Sequence, residues 1–150
     1  MHIAFGCDAS AAILKAELIA LAQSLGHTIT DCGIGEGEIN DYPIYAARAA
    51  RMVQRGECRF AVVLCGTGIG VSMACNKMTG IRCGLCSDCY SAEMTRAHND
   101  ANVLAMGARV IGPELAKRIM TVFLKTEFEG GRHQRRIDLI AGLEGEREAD

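Results

Sequence analysis

Residues 65 to 70 read Cys-Gly-Thr-Gly-Ile-Gly, a thiol and a hydroxyl set among three glycines. Glycines leave backbone N–H groups open to an approaching ligand, and the first turn of a helix carries partial positive charge. Such a loop can hold an anion, either a bound phosphate or a transient oxyanion. The spacing is one residue short of the dinucleotide fingerprint G-x-G-x-x-G, and no Gly-Lys-Ser/Thr follows to make a P-loop. A plain tight turn is the competing explanation, but it needs fewer glycines than three in five residues. Cys65 stands directly before the glycines. A thiol at a helix N-terminus ionises more readily and becomes a usable base or nucleophile. A lone buried cysteine is more commonly core packing. Thr67 brings a hydroxyl that can donate to a reacting oxygen.

Other residues carry different chemistry. Arg132 and Arg136 are four apart and share a helix face, and Arg109 can join them. Guanidiniums facing one way match a phosphate monoester. A solvated basic face is the alternative, although positive charge at a helix start opposes the dipole. His98, in His98-Asn99-Asp100, offers an imidazole able to donate a proton near neutral pH. Cys83-x-x-Cys86-x-x-Cys89 looks like part of an iron–sulfur run. The fourth cysteine and the proline of that run are missing, and Ser91-Ala92-Glu93 follow instead. In a strand, Cys83 and Cys86 also point to opposite faces.

The elements that position these groups alternate regularly. Ile3–Cys7, Thr28–Cys32, Phe60–Cys65, Ile81–Cys86 and Val103–Met106 read as strands. The continuously apolar Phe60–Cys65 has the pattern of a strand buried on both faces of a parallel sheet. Ser10 caps a predicted helix through Leu25, with Ile13, Leu14, Leu18, Leu21 and Leu25 on one face and Gly26 ending it. Further helices are expected from Pro43 to about Arg55, after the glycine loop, over Asp88–Ala97 and Pro113–Thr126, and from Arg132 to about Glu148. Strand–helix repetition of this kind predicts a three-layer α/β sandwich. Ligands then sit at the carboxyl ends of the strands. Gly6-Cys7-Asp8, Cys65 with its loop, and Gly107-Ala108-Arg109 all fall there.

Composition narrows the classes. A length of 150 residues matches one domain, with 49% hydrophobic and 23% charged residues. Sixteen Lys/Arg against eighteen Asp/Glu give a net charge of −2, which argues against nucleic acid as a partner. No apolar run approaches the roughly 20 residues of a membrane helix, so no membrane partner is expected. The N-terminus lacks the pattern of a signal peptide. Eight cysteines without a secretory signal read as reduced thiols of a cytoplasmic protein.

Taken together, several blocks become recognisable. They are Gly6-Cys7-Asp8, Asp41-Tyr42-Pro43, Cys65-Gly66-Thr67-Gly68-Ile69-Gly70, Asn76-Lys77, Tyr90-Ser91-Ala92, His98-Asn99-Asp100-Ala101-Asn102, Gly107-Ala108-Arg109-Val110-Ile111-Gly112 and Glu129-Gly130-Gly131-Arg132-His133-Gln134-Arg135-Arg136. In this order, over about residues 1 to 145, they resemble the B-type ribose-5-phosphate isomerases, a family that includes galactose-6-phosphate and allose-6-phosphate isomerases. The resemblance implies an α/β fold, a three-layer α/β/α sandwich with a five-stranded parallel, Rossmann-like sheet. It implies one sugar-phosphate isomerase domain over residues 1–150, with a C-terminal helix at about 132–148 packing on the partner subunit. A homodimer, or a dimer of dimers, follows, with sites between subunits and with no metal or organic cofactor.

The resemblance also implies roles. Cys65 is the base moving a proton between C1 and C2 through an enediolate. The backbone of Gly66, Gly68, Ile69 and Gly70, with Thr67, stabilises the negative oxygen. His98 is the acid that opens the cyclic sugar, Asp8 binds sugar hydroxyls and helps ring opening, and Asn99 binds substrate. Arg109, Arg132 and Arg136 grip the phosphate, some of them from the partner chain. One departure stands out: where the family reads Asp-His-x-Gly, this chain has Asp8-Ala9-Ser10-Ala11. The expectation is an isomerase of ribose 5-phosphate and ribulose 5-phosphate. Allose 6-phosphate, galactose 6-phosphate or a four-carbon sugar phosphate are alternatives, as is a non-catalytic phosphate-binding module. A four-carbon aldose phosphorylated at C4 cannot close a five-membered ring, so His98 favours five or six carbons.

Overall fold

A strand apolar at every position must be covered on both faces, and the chain supplies the covers by alternating strands with helices. The computed structural model describes residues 1–145. In order the elements are β1 (His2–Cys7), α1 (Ala12–Ser24), β2 (Thr28–Asp31), α2 (Tyr42–Gln54), β3 (Phe60–Cys65), α3 (Ile69–Cys75), β4 (Cys83–Leu85), α4 (Cys89–Ala97), β5 (Val103–Gly107), α5 (Pro113–Lys125) and α6 (Arg132–Gly145). The five strands form one parallel sheet in the order β2-β1-β3-β5-β4. The helix expected to reach 148 is described to Gly145; positions 146–148 lie outside the described residues.

Alternate strand residues feed two cores, as the two-residue repeat of a strand requires. Phe5, Phe60, Val62, Leu64, Leu104 and Met106 pack with Leu18 of α1, Ala92 of α4 and Phe123 of α5. Ala4, Ala61, Val63, Val103 and Ala105 face the other way, onto Ala46, Ala49 and Ala50 of α2 and Val71 of α3. The second face is built of small residues, which lets α2 and α3 lie close on the sheet. Cys86 belongs to the first core and Cys83 lies against the second, so the two thiols are on opposite faces.

Register sets the site. Cys7 pairs with Leu64 and Cys65 with Gly107, so the ends of β1, β3 and β5 are level. The order of connection reverses between β1 and β3: β1 leads outward to β2 on one side, whereas β3 leads through α3 to β4 and β5 on the other. A parallel sheet opens its ligand crevice at such a switch point.

Two details of the first helix differ from expectation. Asp8, not Ser10, is the cap: its carboxylate accepts the Ser10 N–H and leads a short 3-10 turn, Ala9–Ala11, ahead of α1. The buried stripe is Ala11, Leu14, Leu18 and Ala22, whereas Ile13 is 81% exposed and Leu25 42%. Lys15 is also buried in this helix, held by Asp31 at 2.7 Å and the Gly33 carbonyl at 3.1 Å.

Candidate active site

At the switch point Asp8, Cys65, Gly66, Thr67, Ile69, Gly70 and Arg109 line one open cavity of about 580 Å³. Gly68 is buried beneath them. The loop owes its shape to two glycines. Gly68 has φ +77°, and a Cβ there would stand 2.7 Å from the Met106 carbonyl carbon. Gly70 gives room to the Tyr42 ring, whose atoms lie 2.5–2.7 Å from where a Cβ would be. The exit of β5 clamps the same loop, with Ala108 N–H donating to the Cys65 carbonyl and Arg109 N–H to the Gly66 carbonyl, both at 2.9 Å.

This clamp leaves one polar contact to the sulfur. Gly68 N–H donates to Cys65 Sγ at 3.1 Å, so a thiolate formed there meets a donor already in place. Cys65 is only 5% exposed yet forms part of the cavity wall. Thr67 Oγ1 accepts the Ile69 N–H at 3.3 Å, which leaves its own O–H free to donate toward the cavity. Asp8 is half-buried opposite, and Arg109 lies over Gly66. A base, a donor hydroxyl, a carboxylate and a guanidinium thus converge on one crevice. The geometry suits a proton transfer on a small phosphorylated molecule.

His98, Asn99, Arg132 and Arg136 gather elsewhere. His98 follows α4, its ring stacked on His133 with centroids 4.2 Å apart and 8° between planes. Burial lowers the pKa of His133, with the neighbouring charges of His98 and Arg132 acting in the same direction. The His98 loop is fixed from below. Buried Arg96 lies over Phe60 and Phe123 and donates to Asp100 and to the Ala101 carbonyl, both at 2.7 Å. Arg82 holds the other side of Asp100, whose φ is +45°. A buried guanidinium stripped of its carboxylate costs ~3–5 kcal/mol, so this pair fixes the turn that presents His98. Asn99 lines a second cavity of about 450 Å³ with Arg82, Ile140 and Leu143. Arg132 and Arg136 are exposed on α6.

Glu129 joins the histidine pair, its carboxylate 3.4 Å from His133 Nε2 and 3.9 Å from His98 Nε2. Among the described residues these three form the one group with metal-ligand composition and proximity. Two imidazoles stacked nearly parallel direct their lone pairs side by side, so a shared ion would need the rings to turn. As it stands the group is an imidazole stack with a carboxylate at its edge.

Ser10, Asn40, Tyr42 and Met73 also line the first cavity; none is expected from the sequence as a site residue, although Tyr42 lies in one of the recognisable blocks and Ser10 reads as a helix cap. The signal for Tyr42 was indirect: a third glycine in the loop marks a place where something large lies close.

Comparison with known proteins agrees with the fold. The sequence profile described as Ribose/Galactose Isomerase matches residues 3–140. Ribose-5-phosphate isomerase B of Escherichia coli (strain K12) is 48% identical over 145 residues, covering 97% of each chain. D-erythrulose-4-phosphate isomerase of Pectobacterium atrosepticum is 42% identical, over 96% of this chain and 95% of its own. The solved structure of Clostridium thermocellum ribose-5-phosphate isomerase B superposes with a TM-score of 0.95 at 42% identity, covering 98% of this chain and 99% of that one.

Proposed function

Since the chain belongs to the ribose/galactose isomerase family and is an aldose–ketose isomerase of sugar phosphates, we propose that it interconverts ribose 5-phosphate and ribulose 5-phosphate through an enediolate. The observation that carries this is the Gly68 N–H directed at Cys65 Sγ beside the cavity. Cys65 as thiolate removes the proton from C2. The electron pair forms the C1–C2 double bond, and the carbonyl oxygen on C1 takes the negative charge. The loop's backbone N–H groups not already committed to Cys65 Sγ and Thr67 Oγ1, together with the Thr67 hydroxyl, stabilise that oxygen. Cys65 returns its proton to C1 while the O2 proton passes to O1, so that C2 becomes the ketone and C1 the hydroxymethyl carbon. Asp8 binds the sugar hydroxyls and Arg109 the phosphate.

The cyclic sugar must open first, and that acid is His98. Within one chain His98, Asn99, Arg132 and Arg136 are absent from the lining of the Cys65 cavity. A homodimer brings the partner's His98, the partner's Arg132 and the partner's Arg136 to complete it. The exposed Leu139, Ile140 and Leu143 of α6 support docking of that helix on a second copy. A soluble reaction on a sugar phosphate, with loop amides carrying the enediolate charge, fits a cytoplasmic enzyme without a metal.

A coupled assay over a panel of aldose and ketose phosphates tests this. Ribose 5-phosphate is expected to give the highest kcat/KM. Preference for a four- or six-carbon phosphate would reassign the substrate, and no turnover of any would leave a phosphate-binding module.

A further inference from the structure

Position 9 is where the resemblance fails, and the structure shows what occupies its surroundings. Ala9 is exposed between Asp8 and Ser10, both of which line the Cys65 cavity, and has no polar side chain. Its backbone N–H donates to Asn40 Oδ1 at 2.8 Å, across the connection between β2 and α2. Asn40 itself lines the cavity with Asp8, Ser10, Tyr42 and Arg109. An amide whose oxygen is committed to a backbone N–H turns its nitrogen the other way. Asn40 Nδ2 therefore carries two donors that no group among the described residues accepts. Its neighbour Ser10 does not offer the same thing. The Ser10 hydroxyl is committed to Asp8 Oδ1 at 2.5 Å, and Tyr42 lies against Gly70.

We propose that Asn40 is a specificity-determining substrate contact: its Nδ2 donates to an oxygen of the sugar phosphate, in place of the donor that Ala9 cannot supply. The proposal rests on the isomerase reading and deepens it. The acceptor is a phosphate or hydroxyl oxygen, both of which take a neutral N–H. The contact is built on the loop, so it survives any small residue at position 9. A bulky residue there starts one bond from the anchoring N–H and competes with the amide for the same rim.

A double-mutant cycle tests the substitution of one donor for another. Asn40→Ala should lower kcat/KM for ribose 5-phosphate by about three- to tenfold, the range of one neutral hydrogen bond. Asn40→Asp, which still accepts from Ala9 N–H but has no donor at neutral pH, should lose at least as much. Ala9→His should be neutral or harmful in the parent and should restore activity in the Asn40→Ala background. Calorimetry with inorganic phosphate identifies the acceptor: weaker binding in Asn40→Ala assigns the phosphate, unchanged binding a sugar hydroxyl. Full activity of Asn40→Asp, or an equal effect of Ala9→His in both backgrounds, would overturn the proposal. If the parent turns over no aldose phosphate, the isomerase reading fails instead. Calorimetric binding of ribose 5-phosphate to the same variants then decides the Asn40 contact.

Discussion

Among the cysteines, surroundings separate one from the rest. Burial pushes the Cys32 and Cys86 thiols up to about 11 and raises those of Cys7 and Cys58. The Cys75 thiol, hydrogen-bonded to Cys83, raises Cys83 together with burial. The raised thiols stay protonated at neutral pH and pack as small hydrophobes. Cys65 is buried too, but its sulfur, with the Gly68 N–H on it, belongs to the one cysteine among the described residues that lines this cavity. Cys65→Ala should therefore lower kcat by ~10²–10⁴-fold or more, the usual contribution of a positioned base. Inorganic phosphate should bind the variant as it binds the parent, because Arg109 and the loop amides are untouched. Activity within a few-fold of the parent would remove Cys65 from the mechanism. Cys65, Thr67, Asp8 and Arg109 were legible in the sequence because each ends a strand or lies within two residues of a strand's carboxyl end. Asn40 and Ser10 were not, since nothing in a polar loop residue's neighbours along the chain says which cavity it will face.

At the scale of elements, the β3–α3 loop and the first turn of α6 each permit a controlled test. Gly68 and Gly37 share φ +77°, but a Cβ on Gly37 would meet nothing within 4 Å, while one on Gly68 would strike Leu85 at 2.6 Å and the β5 backbone at 2.7 Å. Gly37→Ala should cost only the left-handed penalty, about 1–2 kcal/mol. Gly68→Ala should cost more in urea denaturation and should also lose turnover, because the N–H on Cys65 moves with the loop. Equal destabilisation of the two, with Gly68→Ala fully active, would show the loop to be a plain turn. At α6, His133 is buried with a lowered pKa. An unfolded histidine titrates near about 6.5, so below that pH the unfolded chain binds the extra proton and stability falls until the folded value is passed. The melting temperature should drop as the pH is lowered through that window, and His133→Gln should flatten the drop. The α1 stripe shows what periodicity leaves undecided. Ile13, Leu14, Leu18, Ile19, Leu21 and Leu25 surround much of the helix, and only packing against β1 and α5 selects Leu14, Leu18 and Ala22. The strand core was easier to read, because β3 is apolar at all six positions and admits no other placement.

The whole molecule divides the candidate residues into two groups: the Cys65 cavity at the β1/β3 switch point and a histidine–arginine edge at α4 and α6. The sequence shows both sets of motifs but not their distance, since contacts between segments so far apart in the chain depend on the sheet order. A net charge of −2 likewise gives no hint of the proposed phosphate grip, which is local to three arginines. If each site takes Cys65 from one chain and His98 from the other, two inactive variants should repair one another. A two-fold dimer of Cys65→Ala with His98→Asn contains one site with both groups intact and one with neither. When the two proteins are unfolded together, mixed in equal amounts and refolded, half of the dimers are mixed, and half of the sites in those are whole. Activity on ribose 5-phosphate should then return to about a quarter of the parent's, by the counting of an isologous dimer. Each variant refolded alone should stay inactive, which controls for contamination. If Cys65 and His98 act within one chain, no mixed dimer contains a whole site and the mixture stays at the level of its components. The size of the recovery, and not merely its presence, therefore reports how the halves are shared.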